Sequence, residues 1–166
     1  MGLAQLYDNQ RYDGGFSLWR GGDSNYHASL QAAETLNNLS LAGYKINQNS
    51  LKRVADYLYQ QITVKEHLYN QKDNVILAAY TLSQLPDWNK RENLKRKVIE
   101  IANDDLYIKE NISHASLAYL AVLTTDKKND FPLILKRKIF ETLENRVDID
   151  SRGAFLEPNQ NLLWYY

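Results

Sequence analysis

The sequence predicts an all-α fold built from paired helices, and three observations carry that expectation. Prolines are few, at positions 86, 132 and 158, and long stretches between them lack glycine as well. Apolar residues recur at helical spacing. Helices that are apolar nearly all round alternate with helices that are apolar on one side only, and the first kind needs cover that the second can supply.

The elements follow in order. Residues 25–42 carry Ala28, Leu30, Ala32, Ala33, Leu36, Leu39 and Leu41, and Gly43 stands where helices commonly stop. Residues 50–62 place Leu51, Val54, Ala55, Leu58 and Ile62 on one face. Residues 74–85 are apolar nearly all round, from Val75 to Leu85. Residues 90–102 return to one-sided spacing through Leu94, Val98 and Ile101. Residues 114–123 are again apolar throughout, and 132–145 again one-sided through Leu135, Ile139, Phe140 and Leu143. Ser24, Asn49, Asp73, Asn89 and Ser113 are the expected N-caps, and Asp130 with Pro132 opens the last helix.

Inner and outer helices thus alternate at a spacing of roughly 40 residues, as in helical arrays. Such layers close into a ring in α/α toroids. About three hairpins make a partial ring, so residues 1–166 are expected to form a single domain. An entry turn spans 10–24, the hairpins span 25–145, and an irregular aromatic tail spans 146–166. The tail lacks helical period, is broken by Gly153 and Pro158, and closes on Trp164, Tyr165 and Tyr166. These large side chains need burial, which points to a segment cut from a longer protein. An open ring edge would expose apolar surface and offer a route to homo-oligomers.

Composition narrows function. Lys plus Arg is 20 and Asp plus Glu is 20, so no charge excess calls for nucleic acid or a cationic partner. The Lys136-Arg137-Lys138 run is read as a solvated face answered by Glu141 and Glu144. The absence of cysteine excludes disulfides, a thiol nucleophile and thiolate zinc sites. No run approaches the roughly 18 apolar residues of a membrane helix, so no membrane insertion is expected. The first residues have neither the basic start nor the apolar core of a signal peptide. Leu6 stands where a myristoylation motif wants Ser or Thr.

Candidate chemistry is sparse. His27, His67 and His114 do not pair at helical spacing, so no helical metal site is expected. His67 beside Glu66 is the remaining functional candidate, a weak general-base arrangement. Asp148 with Asp150, and the Asn103-Asp104-Asp105 run, read as a polar turn and a solvated helix exit. Among the twelve tyrosines, Tyr80 and Tyr119 are expected in the core, whereas Tyr57 and Tyr59 lie on a one-sided helix. No phosphate loop and no Ser–His–Asp order is present. No catalytic residue, metal or cofactor is therefore expected.

The densest signal is Gln10-Arg-Tyr-Asp13-Gly14-Gly15-Phe16-Ser-Leu-Trp19-Arg-Gly21-Gly22, which holds four of the seven glycines. Paired glycines permit backbone angles other residues resist, and Phe16 and Trp19 bring apolar surface that needs burial. The stretch reads as a wedge between helices, in which Trp19→Ala should cost about 3–5 kcal/mol.

Gln10, Asp13, Gly14, Gly15, Phe16 and Trp19 together resemble the Gln–Trp repeats of α/α-toroid proteins. The stretch 13–22, Leu41-Ala42-Gly43-Tyr44 leading to Tyr57-Leu58, residues 111–120 and Trp164-Tyr165-Tyr166 look like the bacterial alpha-2-macroglobulin family. The resemblance implies part of a thioester-domain toroid within a large periplasmic or envelope-anchored protease trap. Its partners would be the other domains of the parent protein and, through them, target proteases. The Cys-x-Glu-Gln thioester motif of that family is absent, so this segment would be a non-catalytic scaffold. In thioester-bearing members a His steers the chemistry, and His67 is the nearest candidate. The alternative is an α/α-toroid enzyme, or a glycan- or peptide-binding module with an aromatic-lined concave face. Cyclases of this fold need Asp-x-Asp-Asp, whereas Ser151 follows Asp148-Ile149-Asp150, and prenyltransferase zinc needs Cys.

Overall fold

A computed structural model describes residues 2–64, 71–85, 91–126, 130–150 and 153–156. It is all-helical apart from one short hairpin. The helices are α1 (Leu3–Asp8), α2 (Tyr26–Leu41), α3 (Gln48–Val64), α4 (Lys72–Ser83), α5 (Arg91–Asn103), α6 (His114–Thr125) and α7 (Leu133–Glu144). A π-helical turn, Tyr107–Asn111, separates α5 from α6. Among the described residues no helix is long and apolar enough to cross a membrane. The chain divides into two compact units, Met1–Trp88 and Asn89–Tyr166.

In the first unit, α2 starts where the Asn25 side chain accepts from the Ala28 N–H at 2.9 Å. The cap is therefore Asn25, one residue beyond the expected Ser24, whose hydroxyl is engaged with Asp13 instead. The helix stops at a Schellman turn: Tyr44 N–H donates to Leu39 O at 2.9 Å and Gly43 N–H to Ser40 O at 3.0 Å. Gly43 takes φ +85°, which a side chain would oppose. The link then reaches α3, capped by Asn47 rather than Asn49, since the Asn47 carboxamide accepts from Asn49 N–H at 3.0 Å and Ser50 N–H at 3.2 Å. Tyr7 of α1 accepts from Asn47 N–H at 2.9 Å, tying the first helix to the same corner.

Helix α4 packs against both α2 and α3. It lies parallel to α2. Tyr26, the first residue of α2, donates its hydroxyl to Asn74 O at 2.6 Å near the start of α4. Two turns on, Thr81 donates to the Glu34 carboxylate at 3.2 Å. The core of this unit is Leu36, Val54, Leu58, Ile62, Val75, Ile76, Ala78 and Leu82, all inaccessible to solvent. Asp73, expected as a cap, lies inside the first turn of α4, where its charge favours the helix N-terminus. Tyr80 is half-buried rather than in the core.

In the second unit, α5 ends at Asn103, and the Asp104 carboxylate accepts the Tyr107 N–H at 3.0 Å to start the π-helical turn. Ile108 and Ile112 of this region are fully buried. Ser113 caps α6 as expected, accepting from Ser116 N–H at 3.1 Å. Helix α6 buries Leu117, Leu120 and Leu123 but exposes Ala115, Ala118 and Val122, so the expected cover on every side is incomplete. Tyr119, expected in the core, is half-buried. Helix α7 packs on it through Leu135 and Ile139.

The tail is not wholly irregular. Val147–Asp150 (β1) pairs antiparallel with Gly153–Leu156 (β2), Val147 opposite Leu156 and Asp150 opposite Gly153. The alternation Val-Asp-Ile-Asp is the period-two signal of a strand, and it outweighs the lack of helical pattern. Asn89 and His67 lie outside the described residues, as does the segment 157–166 with its terminal aromatics.

Candidate functional site

Among the described residues of the first unit, the glycine-rich turn is closely interconnected by polar contacts. Arg11 N–H donates to Gly15 O at 2.8 Å and Gly14 N–H to Arg11 O at 3.0 Å, which folds 11–15 back on itself. Gly14 sits at φ +93°. A Cβ there would stand 2.4 Å from the Arg53 carbonyl oxygen, so the turn presses directly on the α3 backbone. A Cβ at Gly15 would meet Ser24 at 2.7 Å and the Tyr57 ring at 2.8 Å. Two adjacent glycines are required for two reasons: the first for conformation and closeness, the second for closeness alone.

Side chains fasten this turn to the helices. Gln10 donates to Gly14 O and to Ser50 O, each at 3.0 Å, and accepts from the Ser50 hydroxyl at 2.6 Å. Its amide therefore joins the turn to the first residues of α3. Arg53 donates to Arg11 O at 2.5 Å and Tyr12 O at 3.0 Å. Asp13 accepts from Gly15 N–H at 3.1 Å and from the Ser24 hydroxyl at 2.6 Å, closing the two ends of the turn on one carboxylate oxygen.

Phe16 is the pivot. Its backbone bridges to Gln10 on one side and Asn25 on the other. Its N–H donates to the Ser29 hydroxyl at 2.8 Å, and Ser29 donates onward to Asn25 O at 2.6 Å. Its ring is buried, with 1% of its surface accessible. Burial, and then the Asp13 carboxylate, raise the Tyr57 phenol above the ordinary tyrosine range. Burial likewise raises Tyr26, with Tyr57 adding a smaller contribution. Both phenols are therefore neutral near neutral pH, and Tyr26 donates to Asn74 O.

Trp19 departs from the expected wedge. It is 66% exposed, and its indole lies over Gly22, where a Cβ would stand 2.7 Å from Nε1. The inward position next to Phe16 belongs to Ser17, which is buried and donates to Trp19 O at 2.7 Å. The chain turns there so that Leu18 and Trp19 face outward, 63% and 66% exposed; Tyr12, in the preceding turn, is 94% exposed. Five of the six motif residues thus join the clamp and the sixth stands on its outer surface.

The motif reading did not include Ser24, Asn25, Ser29, Ser50, Arg53 and Tyr57. Ser29 carries a readable signal, a small polar residue on the buried stripe of α2. Arg53 does not, because nothing in sequence separates it from neighbouring surface cations. Of the other histidines, His27 is exposed and meets the Tyr26 ring edge-on at 5.3 Å, and His114 opens α6 half-buried. Among the described residues no group of three His, Cys, Asp or Glu stands close enough to hold a metal.

Chemically, the site is a clamp. Carboxylate, amide, hydroxyl and guanidinium groups are each engaged with backbone or with one another. The arrangement closes a loop on a helical hairpin. No protein-family model matches this chain, and no curated protein or solved structure matches it.

Proposed function

We propose that the chain is a scaffold piece of an α/α toroid, from the thioester domain of a bacterial alpha-2-macroglobulin-like protease trap. The carrying observation is the turn itself. Gln10, Asp13, Gly14, Gly15 and Phe16 spend their polar groups on locking the entry loop to α2 and α3. The parallel course of α2 and α4 supports the reading, because successive inner helices of such a ring run the same way. With no cysteine, the chain holds no thioester of its own. Its role is to support: it is not an enzyme, needs no cofactor, and meets the other domains of its parent directly and proteases through them. It would work in the periplasm or cell envelope.

The reading frame around this segment tests the proposal. Macroglobulin-type β-domains and a bait region upstream are expected. A frame encoding a lone helical toroid would sink the proposal.

A second reading has its own observation. Tyr12 in the 11–15 turn and Trp19 at the start of the 19–22 turn are both exposed, and exposed aromatic rings suit a sugar or an extended peptide. Titration of glycans against the indole fluorescence separates the two. A saturable change lost in Trp19→Phe favours the binding module, and no change favours the scaffold.

A further inference from the structure

The three one-sided helices differ in what they show to water. Helix α5 exposes Glu92, Asn93, Arg96 and Glu100, and α3 exposes Lys52 and Gln60. Helix α7 instead exposes Leu133 (75%), Ile134 (80%) and Phe140 (37%), with Arg137, Glu141 and Glu144 on the same side. Leu106 of the neighbouring loop is also 62% exposed. It adjoins Asp105, which Lys138 of α7 holds by an ion pair. Water-facing leucine and isoleucine beside a phenylalanine are unusual for a helix of this kind and mark a contact surface.

The charge pattern identifies the occupant. Arg137 lies one turn before Glu141, and the described structure does not join them. A second α7 crossing antiparallel about a midpoint between Lys138 and Ile139 puts Arg137 of one copy level with Phe140 and beside Glu141 of the other. The two-fold axis repeats each pair. The same crossing puts Glu144 against the start of the opposite α7, where Pro132 provides no side-chain cap. A carboxylate is favoured at that end of a helix. The face is thus complementary to itself in charge, as an isologous contact requires.

We propose that this face of α7 is a two-fold interface between two copies of the chain. A helix of 12 residues buries little surface, so the interface falls below about 1,200 Å² and the dimer is weak and reversible. Sedimentation equilibrium of the full chain, up to millimolar concentration at low salt, tests it. A monomer–dimer equilibrium is expected. R137E and E141R should each raise the dissociation constant about tenfold, and the double variant R137E/E141R should restore it. Circular dichroism melts verify that each variant is folded. These residues are exposed, so folding should be unaffected. A chain monomeric throughout overturns the proposal. So does dimerisation indifferent to the single reversals, or a double variant that fails to recover; either result would assign self-association to another surface.

Discussion

The loop of the first unit is held from within, and the loop of the second is held from outside. Before α2, the turn at 11–15 is fixed by Gln10, Ser29 and Ser50, neutral groups at or near the interior around the buried Phe16, while the exposed Asp13 carboxylate closes its outer side. Before α6, the π-helical turn is fixed by two cations. Arg146 donates to Ile112 O at 2.8 Å, Lys109 O at 2.9 Å and Ile108 O at 3.3 Å. Lys138 donates to Ala102 O at 2.8 Å and pairs with Asp105, which is 70% exposed. Arg53 is the device the units share, since it too donates to loop carbonyls. The difference concerns tolerance. A neutral network packed at van der Waals distance has no room for an added methyl group, whereas long cationic side chains that reach loop carbonyls adapt to change.

The largest expected effect lies at the inner clamp. Phe16→Ala should destabilise the first unit by about 3–5 kcal/mol, and Trp19→Ala by less than about 1 kcal/mol, in urea unfolding. Equal effects would erase the distinction between the buried and exposed aromatics. Gly14→Ala comes next, at about 2–4 kcal/mol, because the methyl group meets a backbone carbonyl and φ is positive. In the second unit, Arg146→Ala should cost about 1–3 kcal/mol by leaving three carbonyls without their donor. Arg146→Lys should recover only part of that.

Smaller effects appear in pH dependence, with opposite signs in the two units. The Tyr26 phenol is raised in the fold, so its contribution is complete below the unfolded value near 10 and is lost as pH rises further. Tyr26→Phe should remove that alkaline loss, at a cost near pH 7 of about 1 kcal/mol for the bond to Asn74 O. Asp105 is lowered by its hydrogen bond and charge interaction with Lys138. Its contribution is therefore present above the unfolded carboxylate range and lost as pH falls through the folded value. Melting scans from pH 5 downward should show a slight loss that Asp105→Asn abolishes, smaller than any effect above.

The helices were legible because burial imposes period on sequence. Leu51, Val54, Leu58 and Ile62 mark one face of α3 and all are buried. The caps at Asn25 and Asn47 were missed by one or two residues because Ser24 and Asn49 have equal capping chemistry. What chose between them was Asp13, distant in sequence, which engages Ser24. The Lys138 partner was misread for a similar reason. Glu141 and Glu144 are near in sequence, but Asp105 is near in space. The hairpin at 147–156 was missed because a period of two over four residues is a faint signal. In the site, glycine and phenylalanine announced the turn. The side of the chain on which Trp19 emerges depends on Ser17 turning inward, and composition does not encode that.

Native-state hydrogen exchange at the Phe16 amide tests the central claim most directly. That N–H is buried, bonded to Ser29, and set in a loop rather than a helix. If the turn is an interior clamp, the amide exchanges only when the first unit unfolds, with the same opening free energy as core amides of α2 such as Ala33 and Leu36. Exchange as fast as at the exposed Lys45, in the link between α2 and α3, would contradict the account and leave the turn a surface loop.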